Sequence, residues 1–136
     1  MYPEYLVEPM RQDLTGAGFE DLRTAEEVER AITTEGTVLV MVNSVCGCAA
    51  ANARPAAKIA TKQEKRPDKF VTVFAGMEKE AVDAARSKML PYPPSSPSMA
   101  LFKDGKLVHI IERHQIEGRP AQMIADNLIE AFEQYC

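Results

Sequence analysis

The strongest constraint on the fold is a continuous apolar run at Thr37–Val42, most of whose residues are β-branched. A run of this kind is typical of a strand that is buried on both faces of a sheet. A second such run, Phe70–Ala75, follows an alanine-rich stretch, from Ala49 to about Lys65, that has good helix propensity. We therefore predict a right-handed parallel β-α-β unit at the centre of the fold.

The C-terminal half adds a hairpin to this unit. Asp104-Gly105 separates the apolar segments Ser98–Lys103 and Lys106–Ile111. An Asp-Gly pair in this setting predicts a type I′ turn, in which both residues have positive φ. Pro120 suits the first turn of a final helix. The sequence thus predicts an α/β fold with a mixed four-stranded sheet and helices on both faces.

The N-terminal quarter is predicted to be helical. Residues 3–15 carry apolar side chains at helical spacing. Thr24 and Glu27 then form a capping-box pattern that heads a second helix, which Gly36 ends. A chain of 136 residues suits one domain. We therefore predict a single domain over residues 1–136, with a helical extension at 1–36 and the core at 37–136.

Charge and apolar runs limit the partners that we expect. The net charge is −4 and the basic residues are scattered, which does not suggest a nucleic-acid partner. No segment approaches the ~18–20 apolar residues that a membrane span needs. The N-terminus lacks the basic and then apolar pattern of a secretory signal. We therefore expect a cytoplasmic protein with neither nucleic-acid nor membrane partners.

The three cysteines do not form a closed disulfide framework, because their number is odd. A chain near ~150 residues can bury a hydrophobic core without covalent cross-links. Cysteines that lie close together in a cytoplasmic protein suggest catalysis or metal binding rather than structure. Cys46 and Cys48 are one residue apart, and Cys136 ends the chain.

The Cys46-Gly47-Cys48 motif lies between a predicted strand and the following helix. Reactive groups in open α/β sheets gather at this carboxyl end, and a helix N-terminus stabilises a thiolate. Such cysteines have pKa values lowered from ~8.5 to about 3.5–7.5. Residues i and i+2 of a helix face nearly opposite ways, so Cys46 must lie at or before the N-cap for the sulfurs to meet. We predict Cys46 as the attacking thiol and Cys48 as the resolving thiol, with backbone freedom supplied by Gly47.

Other readings of the cysteines and of two prolines remain open. A lone Cys-x-Cys pair also occurs as buried structural thiols or in a metal site, for which His109, His114 and Cys136 are the remaining ligands. Their spacing is not that of a zinc site, so we predict no metal. Ser96-Pro97 is either an ordinary loop or a cis-proline turn that pairs with an extended substrate. Pro55 either kinks the helix after the cysteines or marks where a helix starts again.

Segments along essentially the whole chain resemble the bacilliredoxin family. The segments that match are Glu8–Arg11, Leu14–Phe19, Asn43–Ala50, Ala53–Ala57, Val71–Gly76, Pro94–Leu101, His109, Arg113–His114, Ile116–Gly118 and Cys136. The resemblance implies a thioredoxin-like fold. It also implies a thiol–disulfide oxidoreductase that reduces mixed disulfides between cytosolic proteins and the small thiol bacillithiol.

Carried over by position, the resemblance makes Cys46 the nucleophile and the site of the bacillithiol adduct, with Cys48 as the other half of the site. Pro97 matches the family's cis-proline position, and Ser96 precedes it. We assign supporting roles in this site to Asn43, Ser44 and Gly47.

The expected partners are S-bacillithiolated client proteins, bacillithiol as co-substrate and a bacillithiol-disulfide reductase, with no further cofactor. The alternatives are a thiol–disulfide isomerase acting on protein disulfides, a metal-binding module that uses the cysteine pair, and an interaction domain with incidental thiols.

Overall fold

The computed structural model describes all 136 residues. In chain order its elements are α1 (Glu4–Thr15), β1 (Glu20–Asp21), α2 (Ala25–Thr33), β2 (Thr37–Asn43), a π-helical turn (Ala49–Ala53), α3 (Arg54–Ala60), β3 (Lys69–Phe74), α4 (Lys79–Ser87), β4 (Ser98–Lys103), β5 (Lys106–Ile111), a 3-10 turn (Arg113–Gln115) and α5 (Ala121–Tyr135). None of these helices combines the length and the apolar character that crossing a membrane would require.

The strands form one mixed sheet in the order β1-β3-β2-β4-β5. Strand β3 is parallel to β1 and β2, whereas β4 is antiparallel to β2 and β5. The predicted parallel β-α-β unit is therefore β2-α3-β3. The prediction of an α/β fold with a mixed sheet is confirmed.

The central strand β2 is buried along its whole length and separates two hydrophobic clusters. One cluster joins the sheet to α3 and α5, and β2 contributes Leu39 and Met41 to it. The other joins the sheet to α2 and α4, and β2 contributes Val38, Val40 and Val42. Helices therefore cover both faces of the sheet, as the unbroken apolar run predicted.

The prediction of four strands was wrong, because the sheet has five. The additional strand, β1, lies between the two helices that we predicted for the extension at 1–36, and its Glu20 and Asp21 pair with Val71 and Thr72 of β3. Acidic residues have low β-propensity. Backbone pairing with β3 and burial of the flanking Phe19 thus override the local preference.

The helix after the cysteines is shorter than predicted. It begins as the π-helical turn, continues as α3, and ends at Ala60 rather than near Lys65. Pro55 lies in the first turn of α3, where a missing N–H costs little. Ala53 and Arg54 keep right-handed helical dihedral angles, so the helix continues through Pro55, and its hydrogen bonding changes from π to α just before this residue. The small side chains that this segment buries are those of Ala49, Ala53, Ala56, Ala57 and Ala60.

Two local predictions are confirmed in detail. Asp104 and Gly105 have φ values of 51° and 82°, as a type I′ turn requires. Thr24 caps α2 by accepting a hydrogen bond from the Glu27 N–H, and the Glu27 carboxylate accepts one from the Thr24 N–H. These turns depend on short-range chemistry, which is why the sequence alone predicts them.

A buried guanidinium attaches α1 to the sheet. Arg11 is only 1% exposed. It donates two hydrogen bonds of 2.9 Å each to the Glu78 carboxylate, and it forms ion pairs with Glu4 at 3.1 Å and with Asp21 at 3.3 Å. Its charge also lies over the Phe74 ring, 5.2 Å from the centroid. One side chain thus joins α1, β1, the end of β3 and the start of α4.

Candidate functional site

The cysteine pair lies at the carboxyl end of the sheet, just beyond β2. The carbonyl of Cys46 accepts hydrogen bonds from the N–H groups of Ala49 at 2.9 Å and Ala50 at 3.3 Å. The helical turn therefore begins at Cys46, which takes the N-cap position that the i, i+2 spacing predicted. Gly47 has no heavy atom within 4 Å of where a Cβ would be, so the bend at this residue is open to solvent.

The two thiols differ in their tendency to ionise. Both are half-buried and neither is in a disulfide. The pKa of Cys46 is lowered, chiefly because the Cys48 thiol donates a hydrogen bond to its sulfur, and the Cys48 N–H adds a second at 3.4 Å. The pKa of Cys48 is raised by burial and then by the hydrogen bond and negative charge of Cys46. The arrangement favours a thiolate on Cys46 beside a protonated Cys48.

The loop that carries Cys46 is fixed by buried polar groups. The Ser44 N–H donates to Asn43 Oδ1 at 2.8 Å, and the Cys46 N–H donates to Ser44 Oγ at 3.0 Å. Arg54 Nη1 donates to Asn43 Oδ1 at 3.1 Å and to the Ser44 carbonyl at 2.9 Å. Asn43, Ser44 and Arg54 are all buried. The predicted supporting residues Asn43 and Ser44 thus hold the backbone of the attacking cysteine.

Sequence reasoning missed Arg54, which lies two helical turns beyond Cys46. Its contacts are with the loop before the cysteine, because α3 runs back along the sheet. Asp13 of α1 forms an ion pair with Arg54, whose Nε is 3.4 Å away, and another with Lys58 at 2.7 Å. A signal was present in the sequence: a charged residue in a helix whose buried face is alanine needs a partner, since an unpaired buried charge is costly.

The loop before β4 forms the wall of the site opposite the cysteines. Val42 of β2 is paired with Ser98, so continuing this antiparallel register brings Pro97 and Ser96 opposite the residues that lead to Cys46. The Ser96-Pro97 peptide bond is cis, as is Leu90-Pro91. Ser96 and Pro97 therefore lie beside the loop that leads to Cys46, and the bond between them is cis, as the resemblance implied.

Arg113, to which we assigned no role from the sequence, also reaches this wall. Arg113 Nη1 donates to the Ser96 carbonyl at 3.2 Å, and its charge lowers the pKa of Cys46. No pattern in the sequence could show this contact, because it joins the turn after β5 to the loop before β4.

The remaining metal-ligand candidates lie in other surroundings. His109 Nε2 hydrogen-bonds to Asn127 Oδ1 at 2.6 Å, and His114 is exposed. Cys136 lies beside Thr37 at the start of β2, the end opposite Cys46. Partial burial and the Asp68 charge raise the pKa of the Cys136 thiol. No three His, Cys, Asp or Glu side chains are grouped so that they could hold a metal ion.

Substitutions at Cys48 should change the ionisation of Cys46 in a graded way. Cys48→Ala removes the side-chain donor and should raise the pKa of Cys46 toward the ordinary thiol value. Cys48→Ser keeps an O–H donor and should raise it less. The measurement is the alkylation rate of Cys46 against pH, which rises as the thiol ionises. Equal midpoints for native protein, Ala variant and Ser variant would contradict this account of the lowered pKa.

The sequence also matches a known protein family. A family model described as disulphide isomerase matches residues 2–136. A bacilliredoxin of Cytophaga hutchinsonii is 53% identical over 134 residues, which cover 98% of this chain and 99% of the relative. A bacilliredoxin of Shouchella clausii is 55% identical, with 99% and 96% covered.

A solved structure is similar to this one in fold. Thioredoxin from Trypanosoma brucei brucei superposes with a TM-score of 0.61 over 86% of this chain and 93% of that one, at 19% sequence identity. At that identity the likeness concerns the fold, and the predicted thioredoxin-like fold is confirmed.

Proposed function

We propose that this chain, which belongs to the disulphide isomerase family, reduces mixed disulfides between cytoplasmic proteins and bacillithiol. It is a thiol–disulfide oxidoreductase, and its curated relatives are bacilliredoxins. The observation that carries the proposal is the unequal cysteine pair. Cys46 favours the thiolate, which is the nucleophilic form, while Cys48 stays protonated beside it.

In the first step the Cys46 thiolate attacks the bacillithiol sulfur of the protein–bacillithiol disulfide. A bond between Cys46 and bacillithiol forms as the bond between bacillithiol and the client breaks. The client leaves as a thiolate and takes a proton from solvent. The rate depends on the thiolate fraction of Cys46 and on the leaving thiol, so no metal or organic cofactor is needed.

In the second step Cys48 removes the adduct. Negative charge on Cys46 is one cause of the raised pKa of Cys48, and this charge is lost when Cys46 carries bacillithiol. Cys48 therefore ionises more easily once the adduct has formed. Its thiolate attacks the Cys46 sulfur, a Cys46–Cys48 disulfide forms, and bacillithiol leaves as a thiol.

Two routes return the protein to its starting state. A reductant can supply two electrons to the Cys46–Cys48 disulfide. Alternatively, a second bacillithiol attacks the bacillithiol sulfur of the adduct, which releases Cys46 and bacillithiol disulfide. A separate bacillithiol-disulfide reductase would then reduce this product. Both routes fit the cytoplasm, where thiols are kept reduced.

The client's backbone is proposed to lie along Ser96 and Pro97. This segment precedes strand β4 and flanks the loop that leads to Cys46. Ser96 is partly exposed whereas Pro97 is buried, so an extended peptide would pair with the backbone of Ser96 through main-chain hydrogen bonds. Such pairing recognises the client's main chain rather than its side chains.

Isomerisation of protein disulfides is the second candidate, and the description of the matching family favours it. Cys46 would then attack a protein disulfide, and a second client thiol would release it. A client that is not released would instead be expelled by Cys48. The chemistry of Cys46 is the same in both functions, so the substrates must separate them.

Reduction of an S-bacillithiolated client tests the proposal against both alternatives. We expect the purified protein, with bacillithiol present, to release the client thiol catalytically and to reactivate a scrambled disulfide protein much more slowly. The reverse order of rates would favour the isomerase. Reduced cysteines that hold stoichiometric zinc and do not react would contradict both redox functions.

Cys48→Ser serves as the matched variant in the same assay. We expect it to react once per molecule when bacillithiol is scarce, because the adduct on Cys46 is not resolved. Excess bacillithiol should restore turnover by the second route. An unchanged rate at scarce bacillithiol would show that Cys48 does not resolve the adduct.

A further inference from the structure

We propose that Arg113 is a specificity-determining residue, whose guanidinium binds a carboxylate of the small thiol that exchanges at Cys46. This inference rests on the proposed function and deepens it by naming the chemical class of the small thiol. Arg113 then distinguishes thiols that carry a carboxylate from neutral or cationic thiols.

The turn that carries Arg113 is anchored against the cysteine-bearing helix. Ile116 is fully buried in the hydrophobic cluster on which Cys48 also packs. The Asn52 side-chain amide donates a hydrogen bond to the Arg119 carbonyl, three residues further along. The backbone that follows Arg113 is therefore held in place by α3 and its neighbours, so the side chain starts from a fixed position.

The guanidinium of Arg113 lies at the wall opposite the cysteines. Its Nη1 donates to the Ser96 carbonyl at 3.2 Å, and its backbone N–H donates to Ser95 Oγ at 3.4 Å. Its Nε donates to Glu117. Arg113 favours ionisation of both thiols, and Glu117 disfavours that of Cys48.

Arg113 keeps hydrogen-bonding capacity for a ligand. Its contacts with Ser96 and Glu117 use Nη1 and Nε, and they leave the Nη2 amine without a protein partner. The side chain is 45% exposed. A planar guanidinium that is partly open to solvent can bind a carboxylate with paired hydrogen bonds. Arg54, in contrast, is buried and donates to the Ser44 carbonyl.

Recognition can be separated from activation. A cation that only favours the Cys46 thiolate changes the exchange rate of every substrate by the same factor. A cation that binds the substrate changes the ratio of rates between a carboxylate-bearing and a neutral substrate. The ratio of the exchange rates for these two substrates therefore distinguishes recognition from activation.

The experiment uses one client protein with two mixed disulfides, one with mercaptopropionate and one with mercaptoethanol. We expect native protein to react faster with the carboxylate-bearing disulfide, and Arg113→Gln to lower the rate ratio about fivefold, as expected for an exposed ion pair. Arg113→Lys should retain part of the preference. Glu117→Gln should increase it, since the carboxylate that competes for Arg113 is removed.

Arg119→Gln is the matched control, because it removes the same charge from an exposed side chain of the same loop. It should leave the ratio unchanged. If Arg113→Gln slows both disulfides equally, or if Glu117→Gln leaves the ratio at the native value, the proposal is wrong. Native protein that reduces the bacillithiolated client while the ratio ignores Arg113 would overturn this inference and leave the proposed function standing.

Discussion

Replacing Cys46 by Ser should reduce thiol–disulfide exchange to the uncatalysed rate. A serine hydroxyl does not ionise at neutral pH, whereas the attacking species is a thiolate. The replacement is nearly equal in size, and the hydrogen bonds made by the Cys46 N–H and carbonyl are retained, so the fold should survive. The measurement is the release of client thiol from an S-bacillithiolated protein at a fixed bacillithiol concentration.

Cys136→Ser is the control for this loss, because it removes the third thiol without touching the pair. Cys136 lies beside Thr37 at the opposite end of the sheet, and partial burial raises its pKa. We expect the native rate. Substantial activity in the Cys46 variant, or a comparable loss in the Cys136 variant, would contradict the assignment of the nucleophile.

Replacing Arg11 by Met should cost about 3–5 kcal/mol of the free energy of unfolding, as does removing one partner of a buried ion pair. Glu78 and Asp21 would remain partly buried, with side chains 21% and 15% exposed, and without their buried cation. The fall should appear as a lower urea midpoint at unchanged slope.

Arg23→Met provides a matched comparison. Arg23 pairs with Asp21 at 3.0 Å and approaches Glu4 at 3.9 Å, two of the partners of Arg11, but its side chain is 46% exposed. Exposed pairs contribute about 1 kcal/mol or less. Equal losses in the two variants would mean that burial of Arg11 is not what makes its ion pairs important.

The parts of the fold that follow from short-range patterns could be predicted from the sequence. The apolar run at β2, the Asp104-Gly105 turn and the capping box at Thr24 each express local chemistry. Strand β1 could not be predicted, because two acidic residues have no strand signal of their own. Its structure comes from pairing with β3, which is distant along the chain.

The same division applies to the site. The motif Cys46-Gly47-Cys48 directly follows a buried strand, so its position was enough to suggest it, whereas Asn43 and Ser44 were assigned with the family resemblance. Arg54 and Arg113 act through contacts with the loop before the cysteines and with Ser96. These contacts cross from one element to another, and only the assembled sheet brings the groups together.

In the proposed cycle Cys46 accepts bacillithiol from a client and Cys48 removes it. Intact and peptide mass spectrometry of the Cys48→Ser variant, after reaction with an S-bacillithiolated client, shows directly where bacillithiol is attached. We expect one bacillithiol per molecule, on Cys46, and a Cys46–Cys48 disulfide when native protein is treated in the same way. Bacillithiol that stays on the client, or an adduct on Cys136 with Cys46 unmodified, would contradict this cycle.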